Sequence, residues 1–271
     1  TDQQLGTLIF ERKKQYGQNF LKDSTILDKI IQSMPNNNNH IVEIGPGLGD
    51  LTKNLVKYKD LTAYEVDTDL IGILKSKFAI EIEKGNLKLI HTDVLEAWDK
   101  LKNLHDGKYD LIANLPYYIA TNIILRAFED ELCEHIIVMV QKEVAEKFTA
   151  KTNDKEYSSL GIITELISIN SKILFDVPAE AFDPPPKVTS SILYIKKDMS
   201  KSFDKDFNKF LKACFIQPRK KLSKNLTTIF DKNIIFEIYK ELNINDNVRP
   251  HEVSSSLYSQ MYTKVKNGRN K

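Results

Sequence analysis

The sequence predicts a doubly wound α/β domain followed by a smaller all-helical one. From His40 to about Ile195, apolar strand-like runs alternate with stretches whose apolar residues recur at helical spacing. The first run ends in a glycine-rich turn, Gly45-Pro46-Gly47-Leu48-Gly49, which leads into a helical pattern. After Lys196-Lys197-Asp198 the β-type runs stop and helical patterns alone continue.

In chain order, the polar patch Asn36–Asn39 reads as a loop before the first strand. Strands are expected at Ile41–Ile44, Leu61–Val66, Leu87–His91, Tyr109–Ala113 and Ile136–Val140. Leu51–Tyr58 and Asp69–Phe78 supply helices after the first and second strands. That rhythm demands crossover connections, hence a mostly parallel sheet covered on both faces. The tail predicts short helices over Phe203–Phe215, Lys220–Phe230, Ile234–Leu242 and Ser254–Lys266, with Pro218 and Pro250 at boundaries. The expected domains are 1–199 and 200–271.

Hydrophobic residues make up 41% of the chain and charged ones 28%, ordinary for a soluble globular protein. No apolar run reaches membrane-span length, and the first thirty residues lack the uninterrupted apolar stretch of a signal peptide. Cys133 and Cys214 lie far apart without metal-ligand spacing, which fits a reducing compartment and no disulfide framework. The net charge of +2 is unevenly spread: residues 181–271 hold 18 Lys and Arg against 9 Asp and Glu. A basic C-terminal third points toward phosphate-bearing partners, although such a tail is often only a solvated surface.

Chemistry concentrates where the expected strands end. Glycines at the first strand-to-helix turn let the backbone approach a ligand, and a helix N-terminus favours negative groups. The spacing is G-x-G-x-G, not the dinucleotide fingerprint. Glu65, ending the second strand, can chelate a ribose diol, a position that would also suit NAD. Asp93, after the third, can accept from an adenine amino group. Either acid could instead cap a helix. The fourth strand runs into Asn114-Leu115-Pro116-Tyr117. The Asn amide oxygen and the Leu115 carbonyl can both accept from an exocyclic amino group, Pro116 stiffens the turn, and Tyr117 offers a stacking face. Alone, this Asn could simply cap the next helix. The ordered set describes an adenosine-containing cofactor lying across the sheet with its reactive end at Asn114. His40, His91, His105, His135 and His251 are scattered and read as structural; no metal site is expected.

With Gln18-Asn19-Phe20-Leu21 near the start and Phe182-Asp183-Pro184-Pro185-Pro186-Lys187-Val188-Thr189-Ser190 further on, the chain resembles the rRNA adenine N6-dimethyltransferases. The likeness runs from about Arg12 through Ile195 and extends into the helical tail. It implies a Rossmann-like methyltransferase sheet that uses S-adenosylmethionine, plus a helical RNA-binding domain. Asn19 and Leu21 would help close over the cofactor, and Gly45 and Gly47 would bring backbone to its amino-acid portion. Glu65 would hold the ribose and Asp93 the adenine. Asn114 and Leu115 would accept from the target N6, with Tyr117 and Phe182 flanking the flipped base; without the resemblance, Asn19 reads as a polar loop residue and Phe182 as a core aromatic.

Tyr16–Leu21, the Gly-Pro-Gly turn, Gln217–Leu222 and Arg249–Ser254 resemble the branch that dimethylates adjacent adenines near the 3′ end of 16S rRNA. Its substrate would be a small-subunit assembly intermediate and the enzyme a cytoplasmic protein, monomeric when free. Relatives usually carry Asn at 118 and Ser at 120, where this chain has Tyr118 and Ala120. Arg219, Lys220, Lys221 and Lys224, with Arg12, Lys13 and Lys14, are candidate phosphate contacts; the first group could also be just the exposed face of a helix. The competing readings are methylation of large-subunit rRNA, adenine methylation of DNA, and a non-catalytic RNA-binding assembly factor.

Overall fold

A computed structural model describes residues 19–269; Arg12, Lys13, Lys14 and Gln18 lie outside the described residues. The chain forms two compact units. One takes residues up to Ala145 together with Asn170–Ser200, the other Glu146–Ile169 and the chain from Lys201 onward.

The first unit contains β1 (Phe20–Leu21), β2 (His40–Ile44), β3 (Leu61–Glu65), β4 (Leu87–His91), β5 (Tyr109–Asn114) and β6 (Cys133–Gln141). β7 (Ser168–Val177), β8 (Phe182–Asp183) and β9 (Ser190–Lys197) follow. Seven of these make one sheet in the order β4-β3-β2-β5-β6-β9-β7. The five strands expected from the apolar runs pair in parallel, and β9 returns antiparallel to β6. Ile41, Val42, Leu111, Ile112, Ile136 and Val138 are buried, as strands covered on both faces must be. The doubly wound α/β class therefore holds. Strand order reverses at β2, whose neighbours are β3 and β5. A crevice forms at the carboxyl ends of strands beside such a switch.

Several strand-end acids start helices. Asp67 caps Thr68–Lys77 by accepting from the Asp69 and Leu70 amides, and Asp93 caps Val94–Leu101 by accepting from Leu95. A separate two-stranded ribbon pairs β1 with β8, Leu21 opposite Phe182. Both side chains enter the same apolar core as Leu51 and Val177, which anchors the ribbon.

The second unit is helical: Ser159–Ile167, Lys205–Cys214, Leu222–Leu226, Lys232–Leu242 and Ser255–Arg269. Beside the boundary expected near residue 200, the chain crosses between units twice more, at 145/146 and 169/170, because residues 146–169 group with the tail. Helix Ser159–Ile167 packs on helices Lys205–Cys214 and Ser255–Arg269, and the Tyr157 hydroxyl donates to the Val253 carbonyl at 2.9 Å. The helix expected over Lys220–Phe230 is only Leu222–Leu226. Buried Asn225 is the reason. Its amide accepts from the Gln217 N–H and donates to the Gln217 and Lys221 carbonyls, holding residues 217–221 as a loop.

Candidate functional site

Two adjoining clefts open at the carboxyl ends of β2, β3 and β5, and both are lined by Gly45 and Pro116. Asn19, Leu21, Glu43, Gly47, Asn114, Leu115 and Tyr117 line the first. Glu65, Val66, Asp93, Val94, Tyr118 and Ile119 line the second. The fold thus brings together every expected cofactor residue. Of the residues expected to flank the target base, Tyr117 lines a cleft and Phe182 does not: it lines neither, is 4% exposed and packs in the core. A stacking role would require that ring to leave the core.

The glycine turn is shaped by backbone need. Gly45 and Gly47 both have positive φ, and a Cβ on Gly47 would sit 2.6 Å from the Phe20 ring. The Gly47 N–H donates to one oxygen of Glu65 at 3.2 Å, while the amides of Val66 and Asp67 donate to the other. These three bonds aim a carboxylate that is 1% exposed. Burial raises its pKa, and the backbone donors pull partly the other way. The three amides fill three of its four lone-pair positions, and the one left, on the oxygen that faces Gly47, is open to a ribose hydroxyl. Asp93 spends one oxygen on its helix cap, and no described donor engages the other. It is both cap and cleft wall.

Glu43 belongs to the glycine-turn motif, but the residue pattern alone assigned it no role. It ends up 1% exposed at the cleft, where it accepts from the Thr52 hydroxyl at 2.5 Å. Burial is the main cause that pushes its pKa up to about 8, with Glu65 adding to the rise. A charged residue inside an otherwise apolar strand was the available signal.

At the end of β5 the Asn114 amide nitrogen donates to the Asn19 carbonyl at 3.0 Å. A carbonyl can only accept, so this bond fixes which way the amide faces and leaves its oxygen as the uncommitted acceptor. The Leu115 N–H donates to the Met139 carbonyl at 3.2 Å, and the Leu115 carbonyl takes no bond from a described residue. Tyr117 is half-buried, with its hydroxyl 2.7 Å from that of Ser190; burial raises its pKa.

Among the described residues, one cluster has potential metal ligands: Asp110, Glu134 and His135. It lies toward the amino ends of β5 and β6, away from the clefts. Asp110 is engaged by His135, Asn37 and Asn39, which makes it a structural network. No described helix is long and apolar enough to cross a membrane. Arg219, Lys220, Lys221 and Lys224 are all exposed in the second unit, and none pairs with a described carboxylate.

A family model described as ribosomal RNA adenine dimethylase matches residues 9–267. The small-subunit rRNA methyltransferase A of Sulfurimonas denitrificans is 52% identical over 250 residues, covering 92% of each chain. That of Campylobacter jejuni is 50% identical, covering 95% of this chain and 96% of its own. Among solved structures, a dimethyladenosine transferase from Plasmodium falciparum superposes with a TM-score of 0.76 at 24% identity, covering 92% of this chain and 98% of its own. The 23S rRNA methyltransferase ErmE gives 0.68 at 20% identity, covering 92% and 100%. These two likenesses establish the shared fold.

Proposed function

The chain belongs to the ribosomal RNA adenine dimethylase family, and from that premise we propose that it methylates N6 of two adjacent adenines in the 3′-terminal hairpin of 16S rRNA, with S-adenosylmethionine as donor. The product is N6,N6-dimethyladenosine. The substrate is a small-subunit assembly intermediate, and the free enzyme is a cytoplasmic monomer.

The residues present suit that donor. Glu65, pre-aimed by three backbone amides, and the open oxygen of Asp93 provide acceptors for a ribose hydroxyl and an adenine amino group along one cleft. The positive-φ glycines present bare backbone to the other cleft, where an amino-acid portion would pass. When bound, S-adenosylmethionine supplies a methyl group on positively charged sulfur.

The observation that carries the reading is the lock on Asn114. An adenine amino group is a weak nucleophile because its lone pair is delocalised into the ring. The Asn114 oxygen and the Leu115 carbonyl accept its two hydrogens, favour a pyramidal nitrogen and aim its lone pair. Catalysis then rests on alignment, which contributes roughly 7–11 kcal/mol when the attack geometry is set in advance. Tyr117 stacks on the flipped base, worth about 1–3 kcal/mol. Phe182 supports the strand that carries Leu21. Arg219, Lys220, Lys221 and Lys224 contact phosphates, joined by Arg12, Lys13 and Lys14.

The test is turnover on undermethylated small-subunit assembly intermediates and on purified large-subunit rRNA, followed by mass spectrometry of nucleosides. Dimethyladenosine should arise in small-subunit rRNA, and Asn114→Ala should abolish it while donor binding persists. Labelling of large-subunit rRNA alone, or full turnover by the variant, would overturn the reading.

A further inference from the structure

The Asn114–Tyr117 turn leaves β5 and runs past the end of β6 to β9. Asn114 pairs with Met139 of β6, and the last residue of that strand, Gln141, faces Ser190, the first of β9. Ser190 is completely buried, yet its hydroxyl has one described partner, the Tyr117 hydroxyl at 2.7 Å. A buried hydroxyl without a partner is costly, so each group holds the other in place. The Tyr117 side chain swings about its Cα–Cβ bond, and a tether at the far end fixes the direction of the ring's long axis and so where its face meets a base.

We propose that Ser190 is a positioning residue for base capture: its hydroxyl holds the Tyr117 ring at the angle that stacks the flipped adenine against the Asn114 and Leu115 acceptors. The inference rests on the function proposed above and extends it to a residue that never meets the substrate. The hydrogen bond joins two sequence motifs, Asn-Leu-Pro-Tyr and the segment ending at Ser190, that are 73 residues apart. It assigns the serine of the second motif a task in the first. Ser191 next to it points elsewhere, its hydroxyl donating to Asp176 at 2.7 Å, so it serves as an internal control.

The experiment compares Ser190→Ala, Ser190→Thr, Tyr117→Phe, the Ala/Phe double variant and Ser191→Ala in the full chain. Substrate is an undermethylated small-subunit assembly intermediate, with a small-subunit rRNA hairpin that carries 2-aminopurine at the target adenine in a parallel binding assay. Ser190→Ala should lower kcat about tenfold, leave donor affinity and the KM for RNA near the unaltered values, and change the 2-aminopurine emission of the bound complex. Ser190→Thr, which keeps the hydroxyl, should restore most of the rate. Tyr117→Phe should match Ser190→Ala, and the double variant should lose no more than either single one. Ser191→Ala should leave kcat alone. An unchanged kcat in Ser190→Ala, no recovery in Ser190→Thr, or losses that multiply in the double variant would overturn the inference alone. Absence of turnover by the unaltered protein would overturn the functional reading with it.

Discussion

Single side chains set the chemistry here through what fixes them. The role proposed for Asn114 depends on the backbone carbonyl that takes its nitrogen, and that proposed for Glu65 on the three amides that aim it. Glu43 is the costly member of the set. It is fully buried beside Glu65, and its pKa of about 8 means that the folded protein keeps this carboxyl protonated well above the ordinary range. The unfolded chain releases that proton near 4.5. A raised folded-state pKa favours folding below the unfolded value, and the advantage drains away as pH rises through the folded one. Between about pH 4.5 and 8 the unaltered protein therefore loses roughly 4–5 kcal/mol from this group, an upper bound. Glu43→Gln keeps an acceptor for Thr52 and cannot ionise. In urea unfolding without donor, the variant should gain on the unaltered protein from pH 5 to 8 and then hold a constant lead. Parallel stability curves over that range would show that Glu43 does not carry the shift.

Elements deliver these side chains to one another. Strand β1 pairs with β8, so the chain just before it can bring the Asn19 carbonyl to Asn114, and the glycine turn packs directly beneath Phe20. Gly47→Ala would place a methyl group 2.6 Å from the Phe20 ring at a φ of +61°. Gly85 is a matched control, with φ of +82° and nothing within 4 Å of an added Cβ. Both substitutions should cost about 1–2 kcal/mol for the left-handed backbone. Only Gly47→Ala should also displace β1, weakening donor binding by at least about tenfold in calorimetry, a misplacement effect. Equal donor affinities in the two variants would refute the linkage. The parallel strands were legible because strands buried on both faces read as continuous apolar runs, as in Tyr109–Ala113. Strand β7, Ser168–Val177, has mixed polarity and much exposed surface, and its pattern did not announce a strand. Residue type alone reads Phe182 as a core aromatic, as it is, whereas its pairing with Leu21 across more than half the chain leaves no local trace in the sequence. The short helix at Leu222 escaped for a related reason: the Asn225 amide bonds across residues 217–221, and side-chain capture of backbone leaves no periodic trace.

At the scale of the whole molecule, charge and chemistry are divided between the two units. The described residues proposed to hold the donor and the target base all lie in the first, while Arg219, Lys220, Lys221 and Lys224 lie in the second. A net charge of +2 conceals this, because the first unit, residues 1–145 and 170–200, holds 21 Lys and Arg against 26 Asp and Glu. A weakly acidic catalytic unit has little intrinsic pull on a polyanion, so RNA affinity must draw on the basic segments. The loop before Leu222 suits that task. Asn225 clasps its backbone from inside, and its three cations stay exposed without described carboxylate partners, so binding breaks no existing ion pair. Contacts to phosphate release counterions, and log affinity falls with log salt by roughly 0.7–0.9 per contact. Reversing all three charges with Arg219→Glu, Lys220→Glu and Lys221→Glu should weaken binding of the small-subunit hairpin and flatten its salt dependence by about 2–3 in slope. Donor affinity, a property of the other unit, should stay within error. Titrations of RNA at several salt concentrations, beside calorimetry of the donor, separate the outcomes. An unaltered slope would mean that the phosphates are met elsewhere, and a matching loss of donor affinity would mean that the substitutions act through folding.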